Sequence, residues 1–304
     1  MILETMQVLD QELASGRGRA TPLLHRVRTG RWTRSVAVAL LCLAAHIVFA
    51  QNIGEGNPVN KPEKTLPITG EVFSVSGHTA FVIMPELKLA SKPTPWVWYA
   101  PTLPGLPGPE EKWMFEKFLA AGISIAGVDV GESCGNPKGR AGFTALYDHL
   151  VKKRGFAPKA CLLARSRGGL MLYNWAAEHP AAVACVAGIY PVCDPSSWPG
   201  IQQACGAYGM TPDQFKGQLA KHNPVERLAP LAKEHVPIFH IHGDKDALVP
   251  LDKNSAELAK RYRALGGDIT LKIVEGQGHN MWSGWFECQE LVDFVIKHAR
   301  PAPR

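Results

Sequence analysis

From residue 71 onward the chain alternates between two hydrophobic periods. Short, nearly continuous apolar runs rich in β-branched and aromatic residues occur at EVFSVS, TAFVIM, PWVWYA, ISIAGVDV, ACLLARS, VACVAGIY, VPIFHIHG and ITLKIVEG. Longer segments that repeat apolar positions every three to four residues follow the third run and most of the later ones: PEEKWMFEKFLAAG, GFTALYDHLVKKRG, GGLMLYNWAAEHP, SAELAKRYRALGG and FECQELVDFVIKHA. The first kind reads as strands buried on both faces, the second as helices that bury one face. Two strands in succession, then strand and helix in turn, predict an opening hairpin. After it comes a mostly parallel, doubly wound α/β sheet of about eight strands, with helices on both faces. One stretch breaks the alternation. Residues 193–235, which contain TPDQFKGQLAKHNPVERLAPLAKEH, lie between the sixth and seventh strands and predict a small cap of one or two helices.

The chain before these runs has a different character. Residues 51–68, QNIGEGNPVNKPEKTLPI, carry Pro, Asn and Gly with little periodicity and read as a linker into a catalytic domain over 69–304. Residues 1–50 hold six arginines and no lysine, and they end in the sixteen-residue stretch SVAVALLCLAAHIVFA behind Arg26, Arg28, Arg31 and Arg34. A basic flank, a short apolar run and small residues before Gln51 predict a secretory signal with a long n-region, cleaved after Ala50. The run is short of the ~20 residues that span a bilayer and His46 interrupts it, so no stable membrane anchor is expected. The expected location is secreted or periplasmic.

Composition narrows the function classes. At 304 residues and 46% hydrophobic content, one large α/β domain accounts for the chain. The net charge of +6 is largely a property of the leader, because removing residues 1–50 leaves 27 Lys+Arg against 24 Asp+Glu. No basic stripe with interleaved aromatics remains, which excludes nucleic acid as a partner. Six of the seven cysteines follow residue 50. Cys161 and Cys185 lie in apolar runs and read as buried free thiols. Cys193 and Cys205 flank one loop and are predicted to form a bridge in an oxidising compartment. Nothing in the sequence speaks to oligomeric state.

The candidate chemistry centres on LLARSRGGL. Ser166 stands where the run ACLLAR meets the helical pattern GGLMLYNW, the strand, tight turn and helix context of a nucleophile elbow. Small residues at Ala164 and Gly168 permit the crowded turn, although the usual first glycine of G-x-S-x-G is alanine here. A serine before glycines at a helix start is also an ordinary N-cap, so partners decide. A serine hydroxyl needs a base, and an imidazole base needs a carboxylate to hold its tautomer. FHIHGDKDALVP supplies Asp246 after one strand and KIVEGQGHNMW supplies His279 after the next, in the order serine, acid, histidine. Asp194, after the strand VACVAGIY, is a second candidate for the acid, and Asp246 is preferred to it.

Through ARSRGG, HGDKDALVP and GQGH, residues from about 70 to 299 resemble the α/β-hydrolase superfamily, in particular compact serine esterases of the dienelactone hydrolase and prolyl oligopeptidase catalytic-domain branch. Dienelactone hydrolases proper differ in having a cysteine nucleophile. The resemblance implies acyl transfer through a covalent acyl-enzyme, with no metal and no organic cofactor. It implies an oxyanion hole built from the backbone N–H of Arg167 and of Thr102 or Leu103, after WVWYA. The substrate expected is a small-molecule or carbohydrate ester. Arg167 is expected on the pocket rim, where a guanidinium would favour polar or anionic esters. Arg165 is expected to turn inward to a carboxylate. Three rivals are a prolyl-oligopeptidase-like peptidase, whose large propeller has no counterpart here, a non-catalytic binding module that keeps a fossil triad, and a metal hydrolase. The last rests on the alternating His240, His242, Asp244 and Asp246 of HIHGDKD, although His240 and His242 also simply share one face of a strand. Trp282 and Trp285 read as core at the start of the last helix, with a pocket wall as the other reading.

Overall fold

The computed structural model describes residues 63–299; the predicted leader, and most of the predicted linker, fall outside these residues. Strands β1 (Glu71–Val75) and β2 (His78–Ile83) form the opening hairpin around Ser76 and Gly77, both at positive φ as a two-residue turn between twisted strands requires. The remaining strands are β3 (Trp96–Ala100), β4 (Ser124–Val128), β5 (Ala160–Arg165), β6 (Val183–Ile189), β7 (Ile238–Gly243) and β8 (Ile269–Val274). They complete one eight-stranded sheet in the order β1-β2-β4-β3-β5-β6-β7-β8, antiparallel at β1–β2 and β2–β4 and parallel throughout the rest. All eight predicted strands are present. Each crossover carries helix: α1 (Lys112–Ala120), α2 (Pro137–Asp148, continued as a wider turn to Lys153), α3 (Gly168–Glu178), α8 (Ser255–Ala264), and the terminal pair α9 (Ser283–Phe286) and α10 (Gln289–Ala299). The period of two along each strand divides the core into two apolar layers. Trp96, Trp98, Leu162 and Ala164 face α2, α3 and α8, while Val97, Tyr99, Cys161 and Leu163 face α1 and α10.

Helix α2 starts earlier than its apolar periodicity indicates. Asn136 accepts from the Gly139 N–H at 2.7 Å and Pro137 takes the first position, so the cap extends the helix into polar sequence. The cap insertion holds four short helices where one or two were expected: α4 (Ile201–Ala207), α5 (Pro212–Lys216), α6 (Leu219–His222) and α7 (Ala229–Lys233). The predicted Cys193–Cys205 bridge is corrected by the structure. All six described cysteines are free. Cys193 is buried in the main core, its thiol facing the Pro191 carbonyl, whereas Cys205 packs with Ala204 and Phe215 inside the cap. The two flank one loop in sequence but belong to separate apolar clusters. Cys161 and Cys185 are register partners on β5 and β6, fully buried as expected.

Candidate active site

Ser166 directly follows β5 with φ +47°, a left-handed conformation uncommon for any residue with a side chain. Three backbone hydrogen bonds hold it there: its N–H donates to Ile189 O, and its carbonyl accepts from Gly169 and Val192. A strained turn so determined by its surroundings is what an elbow needs to lift the side chain out of the sheet. The two glycines after it are required by close approach. A Cβ on Gly168 would lie 2.0 Å from Ala100 O at the end of β3, and one on Gly169 would lie 2.3 Å from Val192 O. Helix α3 therefore starts pressed between the two neighbouring strand ends.

That approach assembles the rest of the site. His279, on the loop after β8, has Nε2 2.9 Å from Ser166 Oγ and Nδ1 2.7 Å from Asp246 Oδ2. Asp246, on the loop after β7, is buried, and its Oδ1 accepts from the Leu248 and Val249 N–H groups at 3.1 and 2.8 Å. Burial works to raise its pKa, but hydrogen bonds from His242 and His279 prevail and hold it well below the usual carboxylate range. Asp194 is engaged elsewhere: its carboxylate accepts from Ser196 and Asn223. The acid and base loops are laced together by Lys245 N–H to Gln277 O and by Gly276 N–H to Asp244 Oδ1. Ser166 and His279 are partly exposed, so substrate can reach them.

The predicted oxyanion donors flank the serine. Arg167 immediately precedes α3, and Thr102 and Leu103 follow β3, whose last carbonyl touches Gly168. Among the described hydrogen bonds none is donated by the backbone N–H of Arg167, Thr102 or Leu103. Sequence reasoning missed the clamp on this loop. Lys64 donates to Leu103 O at 3.0 Å, and its pKa is lowered by burial, against the attraction of Asp129.

The two arginines beside Ser166 part company. Arg165 turns inward as expected and meets Glu111 at 2.5 Å, while Glu111 also accepts from Tyr99 OH and the Gly108 N–H. Burial works against the Arg165 charge, but Tyr99 and Glu111 outweigh it and raise its pKa. Arg167 lies at the rim, but its guanidinium is paired with Glu132 at 2.5 Å and stacked over Trp198. Glu132 therefore already answers the charge that was expected to favour polar or anionic esters. The tryptophans also divide. Trp285 is fully buried and donates to Asn280 Oδ1, whereas Trp282 is 41% exposed, edge-on to Trp285. Tyr190 was also missed: it sits at positive φ after β6 with its ring 4.3 Å from His279. For the metal reading, HIHGDKD does not present a ligand set. His240 and His242 are buried with both ring nitrogens engaged, and Asp244 is tied to Gly276 and Lys245.

Comparison with known proteins bears on the family and the fold. Residues 141–299 match the prolyl oligopeptidase family. The fold is similar to that of Mycobacterium tuberculosis MPT51 (TM-score 0.62, 14% identity, covering 77% of this chain and all of that one). It is also similar to Est1E from Butyrivibrio proteoclasticus (0.55, 17%, 75% and 98%). A third likeness is to a putative dipeptidyl aminopeptidase IV from Bacteroides ovatus (0.60, 14%, 75% of this chain); this chain covers 35% of that protein's length. No curated protein matches the chain.

Proposed function

The chain belongs to the prolyl oligopeptidase family of α/β-hydrolase serine hydrolases, and on that premise we propose that it hydrolyses carboxylic esters through Ser166, His279 and Asp246. The observation that carries the reading is the unbroken line from Ser166 Oγ through the imidazole to a buried carboxylate, starting from a strained elbow. Ser166 Oγ attacks the ester carbonyl as His279 Nε2 takes its proton. The negative charge passes to the carbonyl oxygen, held by the N–H groups of Arg167 and of Thr102 or Leu103. Collapse expels the alcohol, protonated by His279, and leaves an acyl-serine. Water, deprotonated by His279, repeats the sequence and frees the acid. Asp246 orients the imidazole and stabilises its charged form. No step calls for a metal or an organic cofactor.

The likeness to Est1E, nearly coextensive with the described domain, is to a compact fold of the same size, and esters are the substrate class proposed for this chain. The half-exposed Arg167–Glu132 pair beside the nucleophile favours polar alcohols of the carbohydrate type. The family match and the dipeptidyl peptidase likeness favour a second reading, peptide bond cleavage by the same residues. A panel of p-nitrophenyl esters, aryl carboxylates and sugar esters, set against aminoacyl and dipeptidyl p-nitroanilides, separates them. Ester turnover exceeding anilide turnover at least tenfold supports the esterase; the reverse ranking assigns a peptidase. The N-terminal leader leads us to propose export as well, which N-terminal sequencing of the protein from the periplasm or medium tests: a mature chain starting at Gln51 is expected.

A further inference from the structure

Among the described residues, the two histidines of HIHG form a chemistry-bearing pair that the reaction does not use. They project from β7 to the same face as Ile238, toward α3 and α8, and both are fully buried. His240 Nε2 lies 2.7 Å from Tyr173 OH on α3, and its Nδ1 lies 3.0 Å from Ser255 Oγ at the start of α8. The same Ser255 oxygen lies 2.8 Å from His242 Nδ1. His242 Nε2 in turn meets two acceptors, Val249 O at 2.9 Å and Asp246 Oδ2 at 3.2 Å. An unbroken chain therefore runs from Tyr173 to the carboxylate that orients His279.

The positions of the protons follow from the acceptors. A carbonyl and a carboxylate both face His242 Nε2, so that nitrogen carries the hydrogen and Nδ1 is left to accept from Ser255. Ser255 must then donate its single proton to His242 and accept from His240 Nδ1–H. His240 Nε2 is left to accept from Tyr173 OH. Every donor points toward Asp246. The opposite polarity would place a second proton on His242 and turn His240 Nε2–H toward the Tyr173 oxygen. The Tyr173 hydroxyl proton would then be buried without an acceptor among the described hydrogen bonds, a cost of about 1–3 kcal/mol. Burial, followed by the neighbouring His242, pushes His240 down to about 3, in keeping with a neutral ring.

We propose that this one-way chain is a positioning device for the catalytic acid, with His242 as the residue that aims Asp246 Oδ2 at His279 and divides its negative charge. The proposal rests on the roles given above to Ser166, Asp246 and His279. The backbone N–H groups of Leu248 and Val249 hold the other oxygen, so the carboxylate is fixed at both ends. The titratable groups facing Asp246 are His242, His279 and Tyr190, and those facing His240 are Tyr173 and His242. Neutral dipoles aligned on one acceptor strengthen one another in a low-dielectric interior and add no net charge there.

The test reads Ser166 directly, without knowledge of the substrate: the rate of labelling of the full chain by a fluorophosphonate, followed against pH. His242→Gln keeps an N–H at the Nε2 position, whereas His242→Asn is too short to reach Asp246. The asparagine variant is expected to label ~10- to 100-fold more slowly, the range for groups that orient a catalytic ligand. Its acid limb should move to higher pH, because an undivided Asp246 charge holds the proton on His279 more strongly. The glutamine variant should stay within about fivefold of wild type with its limb in place. Ser255→Ala, which removes one oxygen, should shift the limb in the same direction by less, and it carries the decision if His242→Asn does not fold. Wild-type labelling at Ser166 with equal slowing of both His242 variants, or with no shift of the limb, overturns the positioning role alone. Absence of wild-type labelling overturns the nucleophile and this proposal together.

Discussion

Ser166 is held from two sides by different physics. On the acid side, Tyr173, His240, Ser255 and His242 run as one hydrogen-bonded chain to the Asp246 carboxylate, which meets His279. On the oxyanion side, the strand bearing Ser166 is tied to the loop beyond β3 by a buried ion pair, Arg165 to Glu111, that also engages Tyr99 and Gly108. The contrast matters because the two devices fail differently. A hydrogen-bonded chain that loses one member loses alignment, whereas a buried ion pair that loses one partner leaves an uncompensated charge.

The largest effect expected in breaking this comparison comes from Glu111→Ala, which strands the Arg165 guanidinium in the core. A loss of about 3–5 kcal/mol in urea-unfolding stability is expected. Glu111→Gln, which keeps the acceptor for Tyr99, should lose less. A loss below ~1 kcal/mol in the alanine variant would mean that the pair does not hold the oxyanion side.

On the acid side the expected effect depends on pH. His240 is held near 3 by burial, while in the unfolded chain it titrates near ~6.5. Between those values the unfolded chain binds the extra proton. Its stabilising contribution is therefore complete above about pH 6.5 and is lost as pH falls, by about 2 kcal/mol at pH 5. Denaturant titrations at pH 7 and 5 measure this, and a His240→Gln variant should lose the corresponding part of the slope.

The two sides also differ in how much of them could be read from residues alone. The strands were legible because β3, β6 and β5 up to Arg165 are nearly continuous apolar runs, and the triad because each member follows a strand end in chain order. The cap was not: helices of four to seven residues, such as Leu219–His222 and Ile201–Ala207, are too short to display a period of 3.6. Glu111 sits in the polar start of PEEKW, which looks like a solvated helix end. Its burial is created by Tyr99 and Arg165, brought from two other strands. The alternation of His240 and His242 was visible and correctly suggested a shared face. Their function was hidden because the partners, Tyr173 and Ser255, arrive from α3 and α8. The proposed cysteine bridge failed for the same reason, since proximity in sequence said nothing of the two apolar clusters into which Cys193 and Cys205 fold.

The smallest effect belongs to the rim. Arg167→Met keeps the backbone donor and removes a partly exposed pair with Glu132, so stability should change by less than ~1 kcal/mol. Because Glu132 already neutralises the guanidinium, kcat/KM for charged and neutral esters should change together and by less than about fivefold. A selective loss on charged esters would show that Arg167 leaves Glu132 to grip substrate.

The account stands most directly on the hydroxyl of one residue. Ser166→Ala changes neither the elbow's backbone demand nor the hydrogen bonds of its N–H and carbonyl. In a variant with unchanged circular dichroism and unfolding midpoint, kcat on the best ester of the panel should fall by at least ~10³-fold, leaving only the contribution of binding and the oxyanion donors. Retention of more than about a hundredth of wild-type kcat would contradict the assignment of Ser166 as the nucleophile.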